Sequence, residues 1–204
     1  MATRAAPQAG SRMKLYGDPI SGNCDKVRFT AGLLGIGYEW IAVDTGAGEA
    51  KRPEFRAIND MGEVPVIVLD DGRVLAQSNA IIRYLARGSR LIPEDAFLAA
   101  KMDELLFWEQ YSHEPTVAVC RAHLIRDGGT MATRDPVRVE RADRALDLME
   151  RRLSGRDWLV GDGMTLADIA LVAYTRLAHE GGFDLAGRPA TRKWIARCEA
   201  ELGL

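Results

Sequence analysis

Cysteine is scarce in this chain. Cys24, Cys120 and Cys198 are its only three, an odd count without paired spacing. That pattern argues against a disulfide framework and for a reducing compartment, so a cytoplasmic location is expected. Histidine is equally sparse. His113, His123 and His179 have no ligand spacing with one another or with the cysteines, so no metal site is expected. No apolar run approaches the roughly 20 residues of a membrane span, so no membrane partner is expected. Lys and Arg total 27 against 29 Asp and Glu, a net charge of −2. Without a basic field, nucleic acid is not an expected partner either. Residues 1–12 are small and polar and lack the apolar centre of a secretory signal. They are expected to form a disordered N-terminal extension, with Met13 as an alternative start.

What remains is an ordinary globular composition, 47% hydrophobic and 27% charged over 204 residues. That length holds one large domain or two small ones. Lys14-Leu15-Tyr16 reads as a short strand ending at Gly17-Asp18-Pro19. Residues 23–34 read as a helix with Val27, Ala31 and Leu34 on one stripe. Tyr38 to Val43 reads as a second strand, and strand–helix–strand at this length predicts a parallel pair. Thr45 to Lys51 is a polar loop, and Pro53 to Ile58 a helical turn. Val66-Ile67-Val68-Leu69, the turn Asp70-Asp71-Gly72-Arg73 and Val74-Leu75-Ala76 form a hairpin. A helix carrying Ala80, Ile81, Tyr84 and Leu85 follows. The order is βαβ, then ββα.

Beyond Gly88 the strand signals stop. Leu98, Met102, Leu105 and Leu106 make a helical stripe. Asp135-Pro136 opens a helix with aspartate as cap and proline at the first position, and its stripe is Ala142, Ala145, Leu146, Met149 and Leu153. Thr165-Leu166-Ala167-Asp168 is a capping box, with Met164 and Ile169 as its hydrophobic staple and a stripe through Ala173 and Leu177. Residues 189–202 form a last helix packing Trp194, Ile195 and Cys198. A mixed half followed by helices alone implies two domains, taken as 13–88 and 94–204.

The most informative stretch is Glu63-Val64-Pro65, followed by Gln77-Ser78. Proline lacks an N–H and is confined to strand edges and starts. A cis bond before Pro65 would turn the polar backbone of Val64 outward, where an extended peptide can pair with it as with an edge strand. Ser78, at a helix start, offers a hydroxyl and N–H groups to a carboxylate. Together they describe a seat for a small acidic peptide.

These pieces resemble the cytosolic glutathione transferases of bacterial type. The resemblance rests on Leu15 through Cys24, Gly62-Glu63-Val64-Pro65-Val66, Gln77 through Leu85, and Gly161 through Ile169. It runs from about Met13 to the C-terminus. It implies a thioredoxin-like N-terminal domain (βαβ-ββα), a helical-bundle C-terminal domain and a homodimer. It also implies transfer of the glutathione thiolate to a small hydrophobic electrophile, a detoxification chemistry, with glutathione as co-substrate and no metal.

The resemblance makes Ser21 the partner of the thiolate, although a serine before a helix also reads as a plain cap. Asn23 is placed to orient the sulfur, or to start the helix. Cys24 is a candidate for a mixed disulfide with glutathione, or a small buried hydrophobe. Tyr16 is a rival activator or a core residue. Val64, Pro65, Gln77 and Ser78 bind the tripeptide. Glu63 departs from the pattern, because many relatives carry lysine before Val-Pro. A carboxylate there meets the amine but repels the glycyl carboxylate, and Lys51 and Arg52 in the preceding loop supply the missing charge or belong to a solvated loop. Phe107, Trp108 and Tyr111 line the electrophile site or belong to the core. Asp103 reaches toward a partner's glutathione amine or lies in solvent. The alternatives are a glutathione-dependent thiol reductase using Cys24 and a non-catalytic glutathione-binding module.

Overall fold

The computed structural model describes residues 13–204. The extension expected over residues 1–12 lies outside the described residues. The chain divides into two compact units at Ile92 and Pro93, and each stands by itself here.

The first unit runs β1 (Lys14–Gly17), α1 (Gly22–Leu33), β2 (Glu39–Ala42), a 3-10 turn (Glu49–Lys51), α2 (Pro53–Arg56), β3 (Val66–Val68), β4 (Val74–Ala76) and α3 (Ser78–Leu85). The sheet order is β2-β1-β3-β4. β1 and β2 are parallel, and the other two pairs antiparallel. This is the thioredoxin-like arrangement that the βαβ–ββα order predicts. Alternation along β1 sends Leu15 and Gly17 inward. Leu15 sits between Trp40 and Ile67 in register. α1 and α3 pack together, burying Val27, Ala31, Ile81 and Leu85. Gly17 has no substitute: a Cβ there would lie 2.5 Å from the Trp40 ring. At the hairpin, Gly72 takes φ +80° and Leu69 N–H closes the turn on the Arg73 carbonyl at 2.9 Å.

β3 is an interior strand, paired on both sides. Val64-Pro65 lies at its start, one of the two positions expected for the proline. It stands before the first rung, where Val66 pairs with Tyr16, so a proline costs the sheet no hydrogen bond.

The second unit is helical among the described residues: α4 (Ala96–Trp108), a π-helical stretch (Glu109–Ala118), α5 (Val119–Ile125), α6 (Pro136–Leu153), α7 (Leu166–Thr175) and α8 (Pro189–Leu202), with two short 3-10 turns. The α6 stripe is buried as its period predicts. On α4, Met102, Leu105 and Leu106 are buried, but Leu98 is exposed. α7 is buried along its whole length, not on one stripe. It packs against α4, α8 and the π-helical stretch, as a helix apolar on every side must.

The capping box of α7 does more than start a helix. The Asp168 carboxylate accepts Thr165 N–H (2.9 Å), Thr165 Oγ1 (3.1 Å), Leu159 N–H (3.0 Å) and Trp194 Nε1 (2.8 Å). Burial pushes its pKa up and these four bonds pull it back, leaving it above the usual range. One carboxylate thus ties α7, α8 and the preceding loop. α8 has no side-chain cap of its own. Glu150 of α6 supplies it, accepting Ala190 N–H (3.0 Å), Thr191 N–H (2.8 Å) and Thr191 Oγ1 (2.9 Å).

Candidate functional site

The expected peptide-binding residues gather in the first unit at the starts of α1 and α3. Ser21 ends the loop after β1 with φ −83° and ψ 118°, and its Oγ accepts Cys24 N–H at 3.4 Å. It is therefore the cap of α1, and it stays half-buried. The oxygen accepts in that bond, so the hydroxyl retains a hydrogen to donate. The loop is fixed from behind by Asp18. Its carboxylate accepts Ile20 N–H (3.0 Å) and Thr45 N–H (3.1 Å).

Asn23 follows on the first turn of α1. Its Oδ1 accepts the Ser78 hydroxyl at 3.1 Å. Behind them, Lys26 Nζ donates to Ser78 Oγ at 3.5 Å. Lys26 is fully buried, and Ser78 is 5% exposed. Ser78 starts α3, and the residue before it, Gln77, has φ 69° and ψ 110°. Gln77 alone among the described non-glycine residues has positive φ. Backbone held in such a sparsely populated region marks binding sites more often than core. The Gln77 side chain is exposed and reaches Met61 Sδ at 3.6 Å.

The Val64-Pro65 peptide bond is cis. Val64 is half-buried and Pro65 buried. The approach to it is tied down twice. Buried Asn59 donates Nδ2 to the Glu63 carbonyl at 2.8 Å. Lys51 donates Nζ to the Gly62 carbonyl at 2.7 Å and the Met61 carbonyl at 3.4 Å. The Lys51 ammonium thus lies beside Glu63-Val64, while Arg52 pairs with Glu49 at 3.2 Å. The Glu63 side chain is exposed.

Cys24 is fully buried. Burial pushes its thiol up to about 11, against opposing hydrogen bonds from the Ser21 side chain and the Asp18 backbone. Tyr16 packs edge-on to Phe55, centroids 6.2 Å apart, in the core cluster of Val43, Ala50 and Val66. In the second unit, Phe107 and Tyr111 are 76% and 78% exposed, which removes them from the core. Trp108 is half-buried against the His113 ring, 6.1 Å away. Asp103 is half-buried on α4. Among the described residues no group of three or more His, Cys, Asp or Glu is placed to hold a metal ion, and no helix is long and apolar enough to cross a membrane.

Sequence reasoning missed Lys26 and Asn59. A signal existed for Lys26: it adjoins Val27, and a charge beside the apolar stripe of a short helix needs a reason to be there. Asn59 carries no such mark.

Comparisons with known proteins identify a family. Family models described as glutathione S-transferase N-terminal domain and C-terminal domain match residues 20–87 and 112–201. The chain is 32% identical over 194 residues to glutathione S-transferase 3 of Zea mays, covering 89% of this chain and 86% of that protein. The crystal structure of a glutathione S-transferase from Pseudomonas fluorescens superposes with a TM-score of 0.89 at 43% identity, covering 92% and 94% of the two chains. That of a possible glutathione S-transferase from Rhodopseudomonas palustris gives 0.90 at 37% identity, covering 94% and 96%.

Proposed function

Because the chain belongs to the glutathione S-transferase family, we propose that it joins the glutathione thiolate to a small hydrophobic electrophile. The observation that carries this reading is the 3.1 Å bond between Asn23 and Ser78. It draws the start of α1, with Ser21, to the start of α3, with Gln77. A thiolate partner and a carboxylate seat then belong to one site.

In this reading glutathione lies extended along Val64-Pro65. The Val64 backbone pairs with the cysteinyl residue. Its γ-glutamyl carboxylate meets the first turn of α3, where N–H groups and the helix dipole favour an anion. Gln77 contacts the γ-glutamyl amine and carboxylate. Lys51 supplies positive charge near the glycyl carboxylate, and exposed Glu63 weakens that end. Ser21 donates its hydroxyl to the sulfur, with Asn23 beside it.

The magnitudes decide what Ser21 is worth. A free thiol of pKa about 8.5 is only about 3% ionised at pH 7, so full ionisation gains roughly thirtyfold. Part of that is lost because nucleophilicity falls with pKa. The larger factor comes from holding thiolate and electrophile together. The site therefore positions first and acidifies second.

Buried Cys24, its thiol raised to about 11, weighs against the thiol-reductase alternative, which needs an accessible thiolate. Glu63 is what favours a non-catalytic binding module. Phe107, Trp108 and Tyr111 remain the proposed electrophile contacts, and the homodimer and cytoplasmic location are carried from the family.

The test is glutathione-dependent conjugation across a panel of aryl halides, epoxides and unsaturated carbonyls. Turnover of one class that survives Cys24→Ala and weakens in Ser21→Ala supports the transferase. Binding of glutathione without turnover of any class assigns the module instead.

A further inference from the structure

We infer that Asp18 is the positioning residue of Ser21, and that through Thr45 it ties the thiolate partner to the loop behind the Val64-Pro65 rim; the inference rests on the transferase reading above. Asp18 lies between β1 and α1, three residues before Ser21, and is only 5% exposed. A buried carboxylate is costly unless its oxygens are hydrogen-bonded. Those of Asp18 are. Oδ1 accepts Ile20 N–H at 3.0 Å. Oδ2 accepts Thr45 N–H at 3.1 Å and the Thr45 hydroxyl. The Asp18 backbone carbonyl accepts Ser21 N–H at 3.1 Å. One residue therefore holds the N–H groups of both Ile20 and Ser21.

Thr45 carries the link onward. It opens a loop whose turns close on one another: Gly48 N–H on the Thr45 carbonyl (3.2 Å), Glu49 N–H on the Asp44 carbonyl (3.0 Å) and Lys51 N–H on the Gly48 carbonyl (2.9 Å). The Glu49 carboxylate also accepts Asp44 N–H at 2.8 Å. The loop ends at Lys51, whose Nζ holds the Gly62 carbonyl at 2.7 Å. A hydrogen-bonded path thus runs from Ser21 through Asp18 and Thr45 to Gly62, two residues before Val64. It fixes the distance from the serine hydroxyl to the rim where the cysteinyl residue pairs. A hydrogen bond weakens steeply as its length and angle drift, so a donor to the sulfur needs that separation held. The Asp18 charge itself works the other way, because a carboxylate near a thiol raises its pKa. At Cys24 it adds to the larger effect of burial in just that direction. Asp18 therefore favours the thiolate by placement and against its own charge. It does not touch the substrate.

That opposition of signs supplies the test. The full chain saturated with glutathione is titrated with pH while thiolate ultraviolet absorbance reports the pKa of the bound thiol. Asp18→Ala removes a negative charge, which by itself lowers that pKa. The inference expects a rise instead, by about half or more of the shift that Ser21→Ala causes toward the free value of about 8.5. In the same variant kcat/KM at pH 7 should fall about three- to tenfold. Added to Ser21→Ala, Asp18→Ala should raise the pKa no further and cost no further rate, because the aspartate acts through the serine. A bound-thiol pKa that falls or stays in place in folded Asp18→Ala overturns the inference, and so does a full additional loss on top of Ser21→Ala. Should Asp18→Ala fail to fold, Thr45→Val removes one hydroxyl of the clamp and must show a smaller rise with the same dependence on Ser21. An unmoved pKa in that variant, or its failure to fold as well, assigns the clamp to stability and overturns the proposal. Each of these outcomes leaves the transferase reading standing. A wild-type chain that binds no glutathione sinks that reading, and this inference with it.

Discussion

The Ser78 hydroxyl donates to Asn23 Oδ1 across 3.1 Å, joining the first turns of α1 and α3 over 55 residues of sequence. A bond between two helix starts holds two N-terminal dipoles near each other. That arrangement is unfavourable by itself and favourable once an anion sits there. The pair should therefore be coupled. The costs of Asn23→Ala and Ser78→Ala made singly should sum to more than the cost of the double variant. A coupling of about 0.5–1.5 kcal/mol in urea unfolding is expected. Additive effects would show that the bond contributes nothing.

Ser21 carries two roles that separate experimentally. As the cap of α1 it contributes about 1 kcal/mol to stability. As the proposed thiolate partner it contributes to rate. Ser21→Ala should lower kcat/KM about ten- to thirtyfold at pH 7, with less loss at pH 9, where more of the thiol ionises unaided. Ser21→Asn keeps a good cap without the hydroxyl. It should recover stability and not activity, as measured by thermal unfolding beside turnover.

Cys24 should be chemically silent. With its thiol raised to about 11, only about 0.1% is thiolate at pH 8. Native protein treated with iodoacetamide at that pH should leave Cys24 unlabelled by mass spectrometry, whereas denatured protein should label fully. The same shift has a stability consequence at high pH. The folded state holds this proton more tightly than the unfolded chain, whose thiol titrates near the ordinary value. The contribution is complete below about 8.5 and is lost as pH rises from there through 11. Cys24→Ala should flatten that alkaline fall while conserving transferase activity.

Glu150 governs the acid side. Burial raises its pKa, but the N–H groups of Thr191 and Ala190, the Thr191 hydroxyl and the Arg188 charge outweigh it, and the carboxyl ends below the usual range. Its contribution is therefore present above the ordinary carboxylate pKa and disappears as pH falls through the folded value. Glu150→Gln should cost roughly 1–2 kcal/mol at pH 7, a cost that shrinks as pH falls below the ordinary carboxylate range. A loss that does not change with pH would separate Glu150 from the capping of α8.

Much of this molecule is legible before any coordinates. The hairpin, the α6 stripe and the two capped helix starts at Asp135 and Thr165 follow from local rules, because turn chemistry and caps act over a few residues. The π-helical stretch from Glu109 to Ala118 was not legible. Pro115 lies inside it, and a proline after an aromatic cluster argues for a helix end. Here the widened turn accommodates the missing N–H, and the Thr116 hydroxyl bonds the Ser112 carbonyl at 2.8 Å. Val64-Pro65 reads locally as a strand edge or a strand start, and the topology of the whole sheet, which sets a strand's neighbours, decides for the start. In the candidate site, Ser21 is named only through the family resemblance, and Gln77 and Ser78 through their distance from Val64-Pro65. The Lys26–Ser78–Asn23 chain was not legible, because its members are brought together only when α1 packs on α3.

The central claim is that the rim at Val64-Pro65 and the start of α3 hold glutathione with its sulfur at Ser21. Titrating glutathione into the folded protein while recording thiolate ultraviolet absorbance against pH tests it most directly. Saturable binding is expected, with the bound thiol ionising below its free pKa of about 8.5 and returning toward that value in Ser21→Ala. Saturable binding with an unshifted thiol, or a shift that survives Ser21→Ala, would contradict the role of Ser21, and the lack of any saturable signal would contradict the site.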